Sequence, residues 1–325
     1  MLNVVCRYGR ETPTCSFFTT DVDSVTFLSF PEGILHECEE IHDTIIKTMT
    51  IHDTITQTIG DTVTKTIKDT VYVKDTIYIN KCGSQGQGVF SVSADKQISF
   101  AKGNLQYTQS TQTWSFAEHQ YDYIGYANIT TDEGGNTMLA DKIDLFDWGM
   151  DQTFVDWETN TIGTDAPNIW RTLSRDEWYY LFYTRTNAQK LFGLGSVNGV
   201  KGTIILPDSW TTPANITFTP STEKGLANNQ DRDYYNFNGD NYSHNTYTLS
   251  DWQKLEDAGA IFLPAAGFRF GQSVLYVQDR GDYWSSTASD SNYVFHMNFD
   301  SHNFDPQGYS YRVTNYSVRL VQDVK

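Results

Sequence analysis

The stretch "YWSSTASDSNYVFHMNFDSHNFDPQGYSYRVTNYSVRLV", Tyr283–Val321, decides how this chain is read. Between Thr287 and Tyr316, 17 of 30 residues are Asn, Tyr, Asp, Ser or His, and neither Lys nor Glu occurs between Gly281 and Val324. Ordinary polar surface uses Lys and Glu freely, so solubility alone does not account for this alphabet. An alternation runs through it. Tyr293, Phe295, Met297 and Phe299 hold the odd positions, and Val294, His296, Asn298 and Asp300 the even ones. The pattern predicts a strand with its odd face in a core and its even face in solvent. "HNFDPQGYSYRVTN" (302–315) then reads as a turn-rich loop, because Asp305-Pro306 and Gln307-Gly308 punctuate it. "YSVRLVQ" reads as a closing strand with Val318 and Leu320 inward.

The unusual residues fall on the outward face and the loop, while the apolar positions between them do not share the alphabet. Tyr, Asn and Ser suit an adaptable contact surface, combining rigid aromatic area with short polar groups that lose little entropy on binding. The alternative is an ordinary solvated strand edge.

Upstream, "KCGSQGQG" (81–88) is a Gly-rich break that sets off residues 89–325, which hold all eight Trp. "VFSVSADKQISFAKGNLQYT" reads as strand, turn, strand. In "LSRDEWYYLFYTR", Ser174 followed three residues later by Glu177 predicts a capping box that opens an amphipathic helix. "LSDWQKLEDAG" repeats the signal, with Ser250 as cap and Gly259 as stop. "GTIILPDSW" and "AIFLPAAGFRF" read as buried strands. Two short helices among many short strands predict an α+β fold.

Residues 1–40 contain "CSFFTTDVDSVTFLSF", read as two short strands of a small anchoring module. Residues 41–80 carry a repeat, [Ile/Val]-x-Asp-Thr-[Ile/Val], with Asp43, Asp53, Asp61, Asp69 and Asp75 at even spacings throughout. Even spacing keeps all five aspartates on one face of a strand, together with most of the Ile and Val. Extended, the repeat reaches about 130 Å at about 3.3 Å per residue. A lone strand of that length would leave its edges unpaired, so a β-stalk wound from several copies, a homotrimer, is expected. A meander within one chain and a Thr-rich spacer are the alternatives.

The net charge of −17 disfavours nucleic acid and anionic membranes as partners. No window holds 18 apolar residues, so no membrane insertion is expected. "MLNVVCRYGR" does not read as a secretory signal, so synthesis in a cytoplasm is expected. Cys6, Cys15, Cys38 and Cys82 show no metal-ligand spacing and read as small buried thiols.

"FAKGNLQY", "WRTLSRDEWYYLF", "FLPAAGFR", "YWSST" and "YSVRLV" together resemble the variable proteins of diversity-generating retroelements from gut bacteria and their phages. The resemblance covers roughly residues 89–325. It implies a C-type-lectin-like fold, the class that includes formylglycine-generating enzymes. In that family, reverse transcription randomises adenines, chiefly in AAC and AAT codons for Asn. Changes at the first two bases reach Tyr, Asp, His, Ser, Thr, Val, Phe or Gly but never Lys or Glu. That restriction would explain the alphabet of the C-terminal stretch. Carried over by position, the resemblance implies variable ligand contacts at Asn292, Val294, His296, Asn298, Asp300, His302, Asn303, Asp305, Tyr309, Ser310, Tyr311, Thr314 and Asn315. Trp284, Arg319 and Leu320 match its fixed scaffold.

Enzymatic readings find less support. Formylglycine-generating activity needs cysteines in the catalytic domain, and none follows Cys82. Among 40 acidic residues no pair stands out as a glycosidase couple. Calcium-dependent lectins use Glu-Pro-Asn or Gln-Pro-Asp with Trp-Asn-Asp, and neither occurs here. No cofactor is expected; "NNQDRD" (228–233) and "NFNGDN" (236–241) are the oxygen-rich loops where Ca²⁺ would go. The expectation is a non-enzymatic protein that binds a cell-surface protein or glycan receptor, located in a virion as a tail fibre. A bacterial cell-surface adhesin is the alternative.

Overall fold

The computed structural model describes residues 88–149, 157–220 and 242–324 in full. It also gives the backbone of the strands Asn3–Tyr8, Pro13–Phe18, Gln57–Ile59, Val63–Lys65, Leu226–Asn229 and Arg232–Asn236. The chain divides into two units, Met1–Gly83 and Ser84–Lys325.

In the first unit, Asn3–Tyr8 pairs antiparallel with Pro13–Phe18, which sets Cys6 opposite Cys15. The run "CSFF" is thus a strand as read, but its partner precedes it in sequence, and the predicted second strand lies outside the described residues. Within the repeat, Gln57–Ile59 pairs back on Val63–Lys65. The chain reverses between these two strands, and this departs from an unbroken strand. The remainder of the 41–79 repeat lies outside the described residues, as do residues 150–156, 221–225 and 237–241.

The second unit is mixed, mostly β-sheet with few helices. A five-stranded antiparallel sheet runs in the order Leu226–Asn229, Arg232–Asn236, Asn303–Tyr311, Tyr293–Phe299, Gly281–Ala288. A four-stranded sheet holds Phe192–Val197, Val200–Ile205 and Ile261–Pro264, with Thr246–Tyr247 at its edge. The two ends of the unit meet where Val321–Asp323 pairs with Gln97–Phe100.

Helix α1, Arg175–Tyr179, begins as the sequence dictates. Ser174 Oγ accepts from the Glu177 N–H at 3.2 Å, and the Ser174 N–H donates to Glu177 Oε2 at 2.9 Å. Such a cap contributes about 1 kcal/mol. Arg171 clamps the same carboxylate at 2.7 and 2.9 Å. A widened turn, Tyr180–Thr184, continues the helix. Trp178, Leu181 and Phe182 go down into a core of Phe90, Phe100, Phe192, Phe299 and Phe304, each buried side chain stabilising by about 1.5–3 kcal/mol. Helix α2, Leu249–Asp257, is capped by Thr248, not Ser250: Thr248 Oγ1 accepts from the Asp251 N–H at 3.2 Å. Both hydroxyls precede the apolar run, but only Thr248 has extended backbone. Gly259, at φ +91°, ends the helix as predicted.

Asp144 is buried where the Gly125–Asn128 turn packs on the Lys142–Ile143 strand. It accepts from Asn128 Nδ2 and from the Ile124 N–H, both at 2.7 Å. Burial nevertheless pushes its carboxyl up to about 6 from 3.8. Between those two values the folded chain holds a proton that the unfolded chain has released. This group's contribution to stability therefore falls as pH rises from about 4 to about 6, by roughly 3 kcal/mol. Asp144→Asn is expected to remove that component, so the difference in unfolding free energy between variant and wild type should grow over this interval. Denaturant titrations at pH 4.5 and 6.5 check it; parallel stability curves would contradict it.

Candidate binding face

The Tyr293–Phe299 and Asn303–Tyr311 strands form the surface on which the C-terminal alphabet is displayed. The predicted alternation exists, but both faces of the sheet are covered, each over half its length. On the odd face, helix α1 and its continuation lie over Met297, Phe299 and Phe304, which are buried in the aromatic core. The helix stops short of the other end. There Tyr293 and Phe295 emerge beside Tyr309 and Tyr311, their cross-strand partners. Ring centroids are 4.6 Å apart for Tyr293–Tyr311, 5.8 Å for Tyr293–Tyr309 and 6.4 Å for Phe295–Tyr309. Tyr309 and Tyr311 are 54% and 53% exposed.

Arg175, the first residue of α1, closes the covered end of this aromatic row with its guanidinium 4.7 Å over the Phe295 ring. With the Gln307 amide oriented to satisfy both groups, its oxygen accepts from Arg175 Nε and Nη2 at 2.9 Å. A stacked, hydrogen-bonded guanidinium holds the Phe295 ring more firmly than the point charge of a flexible lysine would.

The even face is a correction to the sequence reading. Val294 and His296 were expected in solvent, yet both are buried, packed with Trp284, Tyr316 and Val318. The segment after Tyr311 folds back over this face. Phe146–Tyr316 and Tyr283–Ser317 bridges hold it there. His296 lies edge-on to Trp284 at 5.9 Å and 4.6 Å from Tyr316. Its Nε2 is 3.2 Å from Asp282 Oδ1, and Asp282 also accepts from Arg280 Nη2 at 2.7 Å. Burial opposes the Asp282 charge, but Arg280 and His296 hold its carboxyl below the usual range.

The predicted 302–315 loop is a second correction, since Asn303–Tyr311 is a strand. Its register slips between the His296–Gly308 and Asn298–Asp305 pairs, so one extra residue bulges out on this strand. Asp305 Oδ1 accepts from the Gln307 N–H at 2.9 Å and closes the bulge. Pro306 is tolerated because a bulged residue owes no ladder hydrogen bond. The extra residue also switches the strand's parity, which is why Phe304 and Tyr309 share a face. At Gly308 any side chain would collide with the Asn298 amide.

Of the thirteen predicted contacts, Asn292, His302, Tyr309 and Tyr311 are exposed, and Asn298, Asp300, Asn303 and Ser310 are partly so. Val294, His296, Asp305, Thr314 and Asn315 are buried. The exposed set is not one patch. Asn292, Tyr309 and Tyr311 gather at the aromatic end. Asp300, His302 and Asn303 form the turn at the opposite end of the strand pair, where Asp300 Oδ1 accepts from the His302 and Asn303 N–H groups at 2.7 and 2.8 Å. Sequence reasoning assigned Tyr293 and Phe295 to the core and missed Arg175 and Gln307. The alternation had placed Tyr293 and Phe295 on one face correctly; what it lacked was where the covering helix ends.

Of the oxygen-rich stretches expected as loops, Asn228 and Asn229 pair with Asp233 and Arg232 on adjoining strands, a further correction, while residues 230–231 and 237–241 lie outside the described residues. Among the described residues no cluster of three metal-ligating side chains occurs. No helix of the described residues is long and apolar enough to cross a membrane. No protein family, curated protein or solved structure matches this chain.

Proposed function

We propose that this chain is a non-enzymatic receptor-binding protein whose C-terminal domain, of C-type-lectin-like type, displays a diversified contact face. One observation carries the reading: four adjoining aromatic side chains, Tyr293, Phe295, Tyr309 and Tyr311, on the uncovered end of one strand pair. Aromatic side chains of this kind dominate binding hot spots, because they bury much area at little entropic cost. Beneath them Trp284, Met297, Phe299 and Leu320 are buried, and the bulge fixes the register, so side chains on the outer surface can change without disturbing the scaffold. Weak individual contacts would gain avidity from several copies on a common stalk. The setting that fits these features best is a phage tail fibre that binds a cell-surface protein or glycan.

Deep sequencing of the gene's 3′ end across a growing population tests the reading. Substitutions are expected at Asn292, Tyr309, Ser310, Tyr311 and His302, with codons at Trp284, Phe299 and Leu320 constant. Variation spread evenly over the domain would contradict it. Recovery of the chain in purified virions supports the fibre setting, whereas recovery in an outer-membrane fraction would replace it with a bacterial adhesin.

A further inference from the structure

The first unit sets two cysteines across one strand pair. Asn3–Tyr8 and Pro13–Phe18 run antiparallel, with Cys6 opposite Cys15, Arg7 opposite Thr14 and Tyr8 opposite Pro13. Opposed residues of an antiparallel pair alternate between those that exchange two backbone hydrogen bonds and those that exchange none. Proline has no N–H to give, so Tyr8–Pro13 is of the second kind. Arg7–Thr14 is then of the first kind, and Cys6–Cys15 again of the second. At such positions the Cα atoms stand about 4.5 Å apart, and opposed side chains approach most closely. A disulfide needs Cα atoms roughly 4.4–6.8 Å apart. The register therefore puts this pair where a bridge closes without moving the backbone.

The hairpin also has use for a bridge. Opposed residues share a face, so alternation groups Val4, Cys6 and Tyr8 with Pro13, Cys15 and Phe17 on the more apolar side. Two six-residue strands make only a marginal hairpin in water without further support. A link from Cys6 to Cys15 encloses eight residues and removes conformational freedom from the unfolded segment.

We infer that Cys6 and Cys15 form an intrachain disulfide once the chain has left the reducing cytoplasm. Both settings proposed above, virion and cell surface, lie outside that compartment, where disulfides persist. The bridge is independent of the aromatic contact face, which belongs to the other unit. With a low-molecular-weight disulfide as oxidant, one cysteine thiolate attacks it and releases a small thiol. The second thiolate then displaces the other. Two protein thiols are oxidised, one small disulfide is reduced, and the two protein protons end on the released thiols.

The full chain tests this after reduction with dithiothreitol, removal of the reductant and equilibration in a glutathione buffer containing both redox forms. Free thiols are then trapped with iodoacetamide and the chain is cut after aromatic residues. Tyr8, Phe17 and Tyr72 separate the four cysteines in such a digest. A peptide pair linked through Cys6 and Cys15 is expected, two hydrogens lighter than its reduced parts. In the Cys38→Ser/Cys82→Ser variant the link should persist within a single chain on denaturing, non-reducing gels. Alkylation of Cys6 in that variant should be about tenfold lower than when Cys15→Ser is added. Cys6 and Cys15 both alkylated or both carrying glutathione would overturn the assignment. So would Cys6 joined to Cys38, to Cys82 or to a second copy of the chain.

Discussion

Replacing Arg319 by methionine is expected to destabilise the domain by about 3–5 kcal/mol, the range seen when one member of a buried polar constellation is removed. Its side chain is fully buried. Nε donates to Asn104 Oδ1 at 2.9 Å, Nη1 to the Ala101 carbonyl at 3.2 Å, and Nη2 to the Phe262 and Gln120 carbonyls at 2.9 and 3.3 Å. Three separate segments are thereby tied to the stretch that leads into the last strand, Val321–Asp323. The network extends through Asn104 Nδ2 to the Tyr283 hydroxyl, which donates to the Pro264 carbonyl at 2.9 Å. Burial pulls the guanidinium pKa down to about 10, so it remains charged at neutral pH. Methionine fills the volume but leaves four buried acceptors unmet, each lost partner costing about 1–3 kcal/mol before relaxation. For a domain of this size the midpoint of thermal unfolding should fall by roughly 6–20 °C. Arg319→Lys should recover only part, because one ammonium cannot span acceptors on three segments. Denaturant unfolding of the three proteins checks this; a loss under about 1 kcal/mol for Arg319→Met would show that the acceptors find other partners.

The second large effect is on binding. Truncating an interface tyrosine commonly costs about 1–3 kcal/mol, so the double change Tyr309→Ala with Tyr311→Ala should weaken receptor binding about 100-fold or more. Both rings are more than half exposed, so stability should change by less than about 0.5 kcal/mol each beyond the loss of their contacts with Tyr293. Tyr126, 62% exposed on the Gly125–Asn128 turn, serves as the control for losing an exposed tyrosine elsewhere.

The α1 cap was readable because Ser174 and Glu177 act on each other across three residues, and nothing distant alters that. The α2 cap was misplaced by two residues because Thr248 and Ser250 offer the same hydroxyl, which lie 3.0 Å apart in the fold. Alternation in the Tyr293–Phe299 strand was legible, but exposure was not. Whether Val294 or Tyr293 meets solvent depends on how far α1 and the 312–317 segment reach, and both come from elsewhere in the chain. Asp305-Pro306 and Gln307-Gly308 looked like loop punctuation because the same residues serve turns and bulges. Only the family resemblance marked Arg319 as scaffold: by alternation in "YSVRLV" it occupies the position expected to face outward, and its four acceptors explain why it points in.

The measurement that tests the account most directly is binding of the labelled full chain to intact cells of a panel of gut bacterial strains. Wild type, the Tyr309→Ala/Tyr311→Ala variant and the Tyr126→Ala control would be compared on a strain that wild type recognises. Saturable wild-type binding, an unchanged control and a double variant about 100-fold weaker at matched stability are expected. Equal binding by all three, or no wild-type binding anywhere in the panel, would contradict the claim that this aromatic face is what the chain presents to its receptor.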